Sequence, residues 1–128
     1  MKVVNDLVII CRDHDSHGDF NLVAGCYDKK MNLISMGFNS YRKTHPKQFH
    51  YSSKIGKING CFIHAEISAI VNAKNNDVDT IVVAHYTNKV KNAKPCPSCM
   101  LAIKDAGIKN VYYTIADNEF GYIEVKYD

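Results

Sequence analysis

The sequence predicts an α/β fold in which helices cover both faces of one mixed β-sheet. Apolar residues recur at two different periods along the chain, giving the element order α-β-β-α-β-α-β-β. Helices and strands alternate through the second half, which requires crossover connections between strands. The 128 residues, 46% hydrophobic and 23% charged, are enough for one buried core without disulfide staples. Residues 1–128 therefore read as a single domain.

Val3, Val4, Leu7, Val8 and Cys11 recur at three- and four-residue steps, predicting an opening helix that ends before the polar run Asp13 to Asp19. Leu22 to Tyr27 and Leu33 to Phe38 flank the polar segment Asp28-Lys29-Lys30-Met31-Asn32, the pattern of a hairpin. Asn39 to Gly60 holds Pro46, Gly56 and Gly60 with no sustained period, and reads as a long loop of the kind that carries function. Ile63, Ile67, Ile70 and Val71 have helical spacing, which dies in Asn75-Asn76-Asp77. Thr80 to Tyr86 is rich in β-branched residues and predicts a buried strand. A third helix starts near Pro97, where a missing N–H costs nothing, and ends at Gly107. Lys109 to Ile115 and Tyr122 to Val125 read as the last strands.

Charge and cysteine usage narrow the classes. No apolar run approaches the ~20 residues of a membrane helix, and Met1 to Asp15 lacks the core of an export signal. Five cysteines, an odd set without such a signal, favour the cytosol and thiol or metal chemistry over bridges. The net charge of +3 falls short of a duplex-DNA binder. Its distribution is uneven: from Lys29 to Ala65 there is no acidic residue, while Lys29, Lys30, Arg42, Lys43, Lys47, Lys54 and Lys57 fall inside. That run reads either as a solvated basic face or as an anion site.

The chemistry centres on His64, Cys96 and Cys99: a histidine opening one predicted helix, and a Cys-x-x-Cys with its thiols one turn apart at the start of another. Three such ligands suit Zn²⁺ at a catalytic site, where the fourth position stays open for water. Helix N-termini favour thiolates and so help Cys96 and Cys99 to coordinate at neutral pH. Glu66, two residues after His64, is placed to take a proton from water activated by the metal, pass it to a ring nitrogen and protonate a departing amine. That sequence of steps is hydrolytic deamination.

His64-Ala65-Glu66 with Pro95-Cys96-Pro97-Ser98-Cys99 resembles the signature of the cytidine deaminase superfamily. The resemblance covers Leu22 to Thr114. With histidine as first ligand, the chain looks more like deoxycytidylate, tRNA adenosine and riboflavin-pathway deaminases than like free cytidine deaminases. Gly37-Phe38-Asn39 and the run Cys96 to Ile108 look most like short deoxycytidylate deaminase-like proteins of phages and viruses. The resemblance implies an αβα sandwich with a five-stranded mixed sheet, one zinc per site, a homo-oligomer, and dCMP to dUMP as the reaction. It also implies that Asn39 contacts the sugar and that backbone near Ala65 meets the pyrimidine edge. Where deoxycytidylate deaminases commonly follow the asparagine with a glycine-rich loop, this chain reads Ser40-Tyr41-Arg42-Lys43-Thr44-His45-Pro46. Within that segment Arg42 is the best candidate for a 5′-phosphate contact, because guanidinium binds phosphate oxygens bidentately.

Other readings stand beside this one. Cys61 with His64, Cys96 and Cys99 would make a closed structural zinc site, but leaves Glu66 without a role. Cys96-Pro97-Ser98-Cys99 also matches a redox dithiol, although it comes late in the domain and no later proline faces it. The basic stretch would suit a deaminase acting on a base in RNA or single-stranded DNA. A non-catalytic, zinc-stabilised binding module is a further class. His14 and His17 in the Asp13 to Asp19 turn form a weak second metal set. Tyr41, Tyr51 and Tyr86 are candidate stacking partners for a base, while Cys11 and Cys26 belong in the core.

Overall fold

The computed structural model describes residues 1–15, 21–40, 42–56 and 62–127. A helix α1 (Lys2–Asp15) is followed by strands β1 (Leu22–Tyr27) and β2 (Leu33–Phe38), and then by a helix α2 (Pro46–Lys54). Helix α3 (Ala65–Ala73) leads to β3 (Thr80–Tyr86) and a two-residue strand β4 (Val90–Lys91). Helix α4 (Pro97–Asp105) leads to β5 (Asn110–Ala116) and β6 (Glu119–Glu124). The strands form one mixed sheet in the order β2-β1-β3-β5-β6, with β4 appended to β3. Only β3 and β5 run parallel, joined across α4, and the other pairings are antiparallel.

Alternation along the central strands makes two cores, as period-two side-chain direction requires. Val23 and Tyr27 of β1 with Val82 and Ala84 of β3 face α1, packing on Val4, Leu7 and Cys11. Ala24 and Cys26 with Ile81 and Val83 face the opposite way, onto Ala65 and Ala69 of α3 and Ile103 of α4. Leu7 and Ile103 are fully buried, and each contributes roughly 1.5–3 kcal/mol of transfer free energy. Helices thus cover both faces, as the element order predicts, and Cys11 and Cys26 are core residues.

One glycine sets the spacing of a layer. A Cβ on Gly37 of β2 would fall against the backbone of Ala69 and within 2.7 Å of the Ala65 carbonyl oxygen, so only glycine lets α3 lie this close to the strand. Gly107, at φ +77°, ends α4 with its N–H donating to the Lys104 carbonyl.

Four features differ from the sequence reading. Helix α1 runs on to Asp15, into the polar run expected to end it. The sheet has a sixth strand, β4, too short to leave a periodic signal. The segment expected to be a loop contains α2: His45 caps it by accepting the Lys47 N–H on Nδ1 at 3.0 Å, and Pro46 opens it. Its buried positions are Gln48, Tyr51 and Ser52, while Phe49 is 50% exposed, so the polarity of its faces is partly inverted and no apolar period exists to be read. Finally, the acid-free basic run is not one face. Lys29 and Lys30 lie in the β1–β2 turn, at the opposite end of the sheet from Asn39, and Lys47 and Lys54 lie on α2.

Candidate functional site

The site lies where the carboxyl end of β3 meets the N-termini of α3 and α4, a position where parallel strands leave a crevice. His64 is the N-cap residue of α3 and Cys96 that of α4. Both are extended, at φ −85° and −71°, and neither side chain caps its helix. Their backbone carbonyls begin the helical bonding, accepting from Ser68 N–H at 3.0 Å and Met100 N–H at 2.9 Å. Pro97 supplies the first turn of α4 and sets Cys99 one turn beyond Cys96.

These three side chains meet. His64 Nδ1 lies 3.5 Å from Cys96 Sγ and 3.3 Å from Cys99 Sγ, and all three potential ligand atoms fall within 4.8 Å of one another. A tetrahedron with zinc–nitrogen bonds near 2.0–2.1 Å and zinc–sulfur bonds near 2.3 Å has nitrogen–sulfur edges of about 3.5 Å, so the set fits the ion without rearrangement. Cys99 is fully buried and Cys96 partly so. Cys96 is held down to about 3, chiefly by the hydrogen bond from the Cys99 thiol, with His64 and Ser98 also favouring its thiolate. Cys99 is pushed up by the same bond and by burial. Ser98, itself buried, places its hydroxyl 3.1 Å from Cys96 Sγ.

Glu66 sits in the first turn of α3, where the helix dipole favours an anion. It is only 6% exposed, and burial pushes its carboxyl above the usual range, with the Cys96 thiolate adding to the rise. Its backbone N–H and His64 oppose that rise. A carboxyl whose affinity for protons is raised in this way suits proton transfer near neutral pH.

A cavity of about 410 Å³ opens over these groups, lined by His64, Glu66 and Cys96 together with Asn39, Phe62 and Lys94 among others. Asn39 is thus brought to the ligands. Its Oδ1 accepts from the N–H groups of Asn21 at 3.2 Å and Leu22 at 3.0 Å, and its Nδ2 donates to Asn21 Oδ1 at 3.2 Å. This side chain ties the start of β1 to the end of β2 and retains one amide hydrogen for a ligand. Ala65 is fully buried and does not line the cavity with its side chain; at the first position of α3 its N–H has no intrahelical partner. Arg42 is exposed, donates its backbone N–H to Ser40 Oγ at 3.1 Å, and is not among the lining residues.

Sequence reasoning missed several residues that topology brings here. His85 lines the cavity, with Nδ1 3.3 Å from the Asn92 carbonyl and Nε2 3.5 Å from Thr87 Oγ1. Lys94 follows Asn92, whose Oδ1 accepts the Lys94 N–H at 2.8 Å. That loop is held by buried Thr114, whose Oγ1 donates to the Lys91 carbonyl and whose own carbonyl accepts the Ala93 N–H, both at 2.8 Å. No spacing motif marks Lys94; the only sequence signal was its place two residues before Cys96. The aromatic at the cavity is Phe62, 47% exposed, whereas Tyr51 packs with Ile67 and Ala102, and Tyr86 packs on the α1 side of the sheet. Tyr41, Cys61 and His17 lie outside the described residues, and with them the four-ligand zinc reading.

The family model for the cytidine and deoxycytidylate deaminase zinc-binding region matches residues 4–115. Among solved structures, a cytidine deaminase from Burkholderia pseudomallei is similar, with a TM-score of 0.61 and 14% sequence identity over 94% of this chain and 91% of that one. At that identity the likeness is one of fold. No curated protein sequence matches the chain significantly. Among the described residues, no helix is long and apolar enough to cross a membrane.

Proposed function

Since this chain belongs to the family of cytidine and deoxycytidylate deaminases with a zinc-binding region, we propose that it deaminates a cytosine nucleotide, with dCMP to dUMP as the reaction. What supports the reading is one cavity in which His64 and Cys96 of the candidate zinc set, a buried carboxyl and, among the described residues, one lysine are brought together. Bound by His64, Cys96 and Cys99, zinc supplies the Lewis acidity that makes water a nucleophile at neutral pH. Glu66 takes the proton that water gives up, delivers it to the ring nitrogen beside the amino-bearing carbon, and then carries the proton of the hydroxyl newly bonded to that carbon to the departing amine. Ammonia leaves, and the oxygen of water stays on the ring as a carbonyl. The remaining amide hydrogen of Asn39 meets a sugar hydroxyl, and the unpaired N–H of Ala65 meets the pyrimidine edge.

The 5′-phosphate falls to Lys94, the lysine that lines the cavity, with Arg42 as the second candidate from the neighbouring loop. Comparing kcat/KM for dCMP and deoxycytidine tests this. Lys94→Ala is expected to raise KM for dCMP about tenfold, roughly the worth of one charge-assisted hydrogen bond, and to leave deoxycytidine turnover unchanged. Equal losses on both substrates would remove the phosphate role from Lys94. A loss confined to Arg42→Ala would transfer it to that loop. Turnover of a cytosine-containing oligonucleotide alone, with steep salt dependence, would replace the mononucleotide by a strand.

A further inference from the structure

We propose that Gln48 is a positioning residue for the metal ligand His64. Gln48 is fully buried on α2, and its Oε1 accepts the His64 backbone N–H at 2.9 Å. The amide cannot be turned the other way, because a backbone N–H only donates and an NH₂ facing it cannot accept. At its far end, Nε2 donates to the hydroxyl of Ser52 at 3.0 Å, and Ser52 is buried as well. A buried amide is costly unless both ends are bonded, and here both are.

The bond fixes the peptide from which the ligand side chain projects. His64 precedes α3 in extended backbone and uses no side-chain cap, so the direction of its imidazole depends on how its peptide is held. The preceding residue is tied on one side only: Ile63 donates to the Lys43 carbonyl at 3.0 Å and accepts from Ser40 N–H at 3.1 Å. Gln48 supplies the hold on the other side, from a helix that also packs on the cysteine-bearing α4, where Tyr51 contacts the cluster of Ile67, Cys99 and Ala102. Helix α2 thus references the two ligand-bearing segments to each other, through Gln48 on one side and Tyr51 on the other, across a nitrogen–sulfur separation of 3.3–3.5 Å. Hydrogen bonds to a ligating side chain itself ordinarily change metal affinity by about 10- to 100-fold, and a bond to the ligand's backbone, one step further back, is expected to act at the low end of that range.

The test is zinc affinity by competition with a chromophoric chelator, with Co²⁺ absorption as a second readout and unfolding of the metal-free proteins as control. Gln48→Leu is expected to weaken zinc binding by about tenfold, the low end of the range for supporting bonds, and to alter the Co²⁺ bands. Gln48→Glu, which keeps an oxygen acceptor toward His64, is expected to restore most of the affinity. Ser52→Ala, which frees only the far end, is expected to give a smaller loss and provides the reading if Gln48→Leu does not fold. Zinc affinity within twofold of wild type for Gln48→Leu, or for Ser52→Ala where that variant stands in, overturns the proposal. So does a loss of metal-free stability with affinity and Co²⁺ spectrum unchanged.

Discussion

In the proposed reaction Glu66 and the three candidate ligands divide the work at the residue scale, and each is expected to fail differently when altered. Glu66→Gln keeps the size and the bonding of the side chain but cannot carry a proton. Its kcat is expected to fall by about 10²–10⁴ with zinc content unchanged, measured by ammonia release beside metal analysis. Cys96→Ser replaces a thiolate of the candidate ligand set, and is expected to lose zinc on dialysis that wild type survives. These four residues were legible because their signal is local: His64-Ala65-Glu66 and Cys96-Pro97-Ser98-Cys99 each fall within one helical turn of a helix start. Gln48, His85 and Lys94 were not legible, because they reach the site through strand order and helix packing rather than spacing. Asn39, expected from the sequence to contact a sugar, lines the cavity, and both ends of its amide hold β1 and β2 together.

Among the elements, those with a clean period were readable and those with mixed faces were not. The strands β1, β2 and β3 match the apolar runs residue for residue, whereas α2 was invisible because its core-facing positions are Gln48, Tyr51 and Ser52. The approach of α3 to β2 could not be read either, as nothing in Gly37 alone says that a helix backbone will lie on it. Gly37→Ala is expected to destabilise the protein by about 1–3 kcal/mol in chemical denaturation, because its methyl meets backbone rather than a flexible side chain. Since α3 carries Glu66, kcat should fall along with stability. The β1–β2 turn is held by Asp28, whose Oδ1 accepts the N–H groups of Lys30 and Asn32, both at 2.9 Å. Those bonds keep its carboxyl below the usual range, so their contribution is present above the unfolded-state pKa and is lost as pH falls through the lower folded value.

Across the whole molecule, one metal joins segments that are far apart in sequence, since His64 and Cys99 are separated by 35 positions. An ion that binds only the folded chain adds stability by mass action, about 4 kcal/mol at a thousand times its dissociation constant. Chelation should therefore lower the melting temperature, and readdition of zinc should restore it. Alkaline pH tests the core independently. Burial pushes the Cys26 thiol up to about 11 from 9.0, so the unfolded chain loses that proton first as pH rises. The stability tied to Cys26 is complete below pH 9 and disappears between about 9 and 11, an effect on the order of 2–3 kcal/mol. Under reducing conditions, Cys26→Ala should flatten the fall in melting temperature over that range; an unchanged slope would place the alkaline transition elsewhere.

The most direct measurement is ammonia release from dCMP by the zinc-loaded protein and by Glu66→Gln at equal zinc content, with deoxycytidine, dCTP and a cytosine-containing oligonucleotide as parallel substrates. The account predicts turnover of dCMP by the wild-type chain that requires zinc and falls at least about 100-fold in the variant. A zinc-replete, folded wild-type protein that releases ammonia from none of these substrates, or a variant that matches it, would contradict the assignment of deamination to this site.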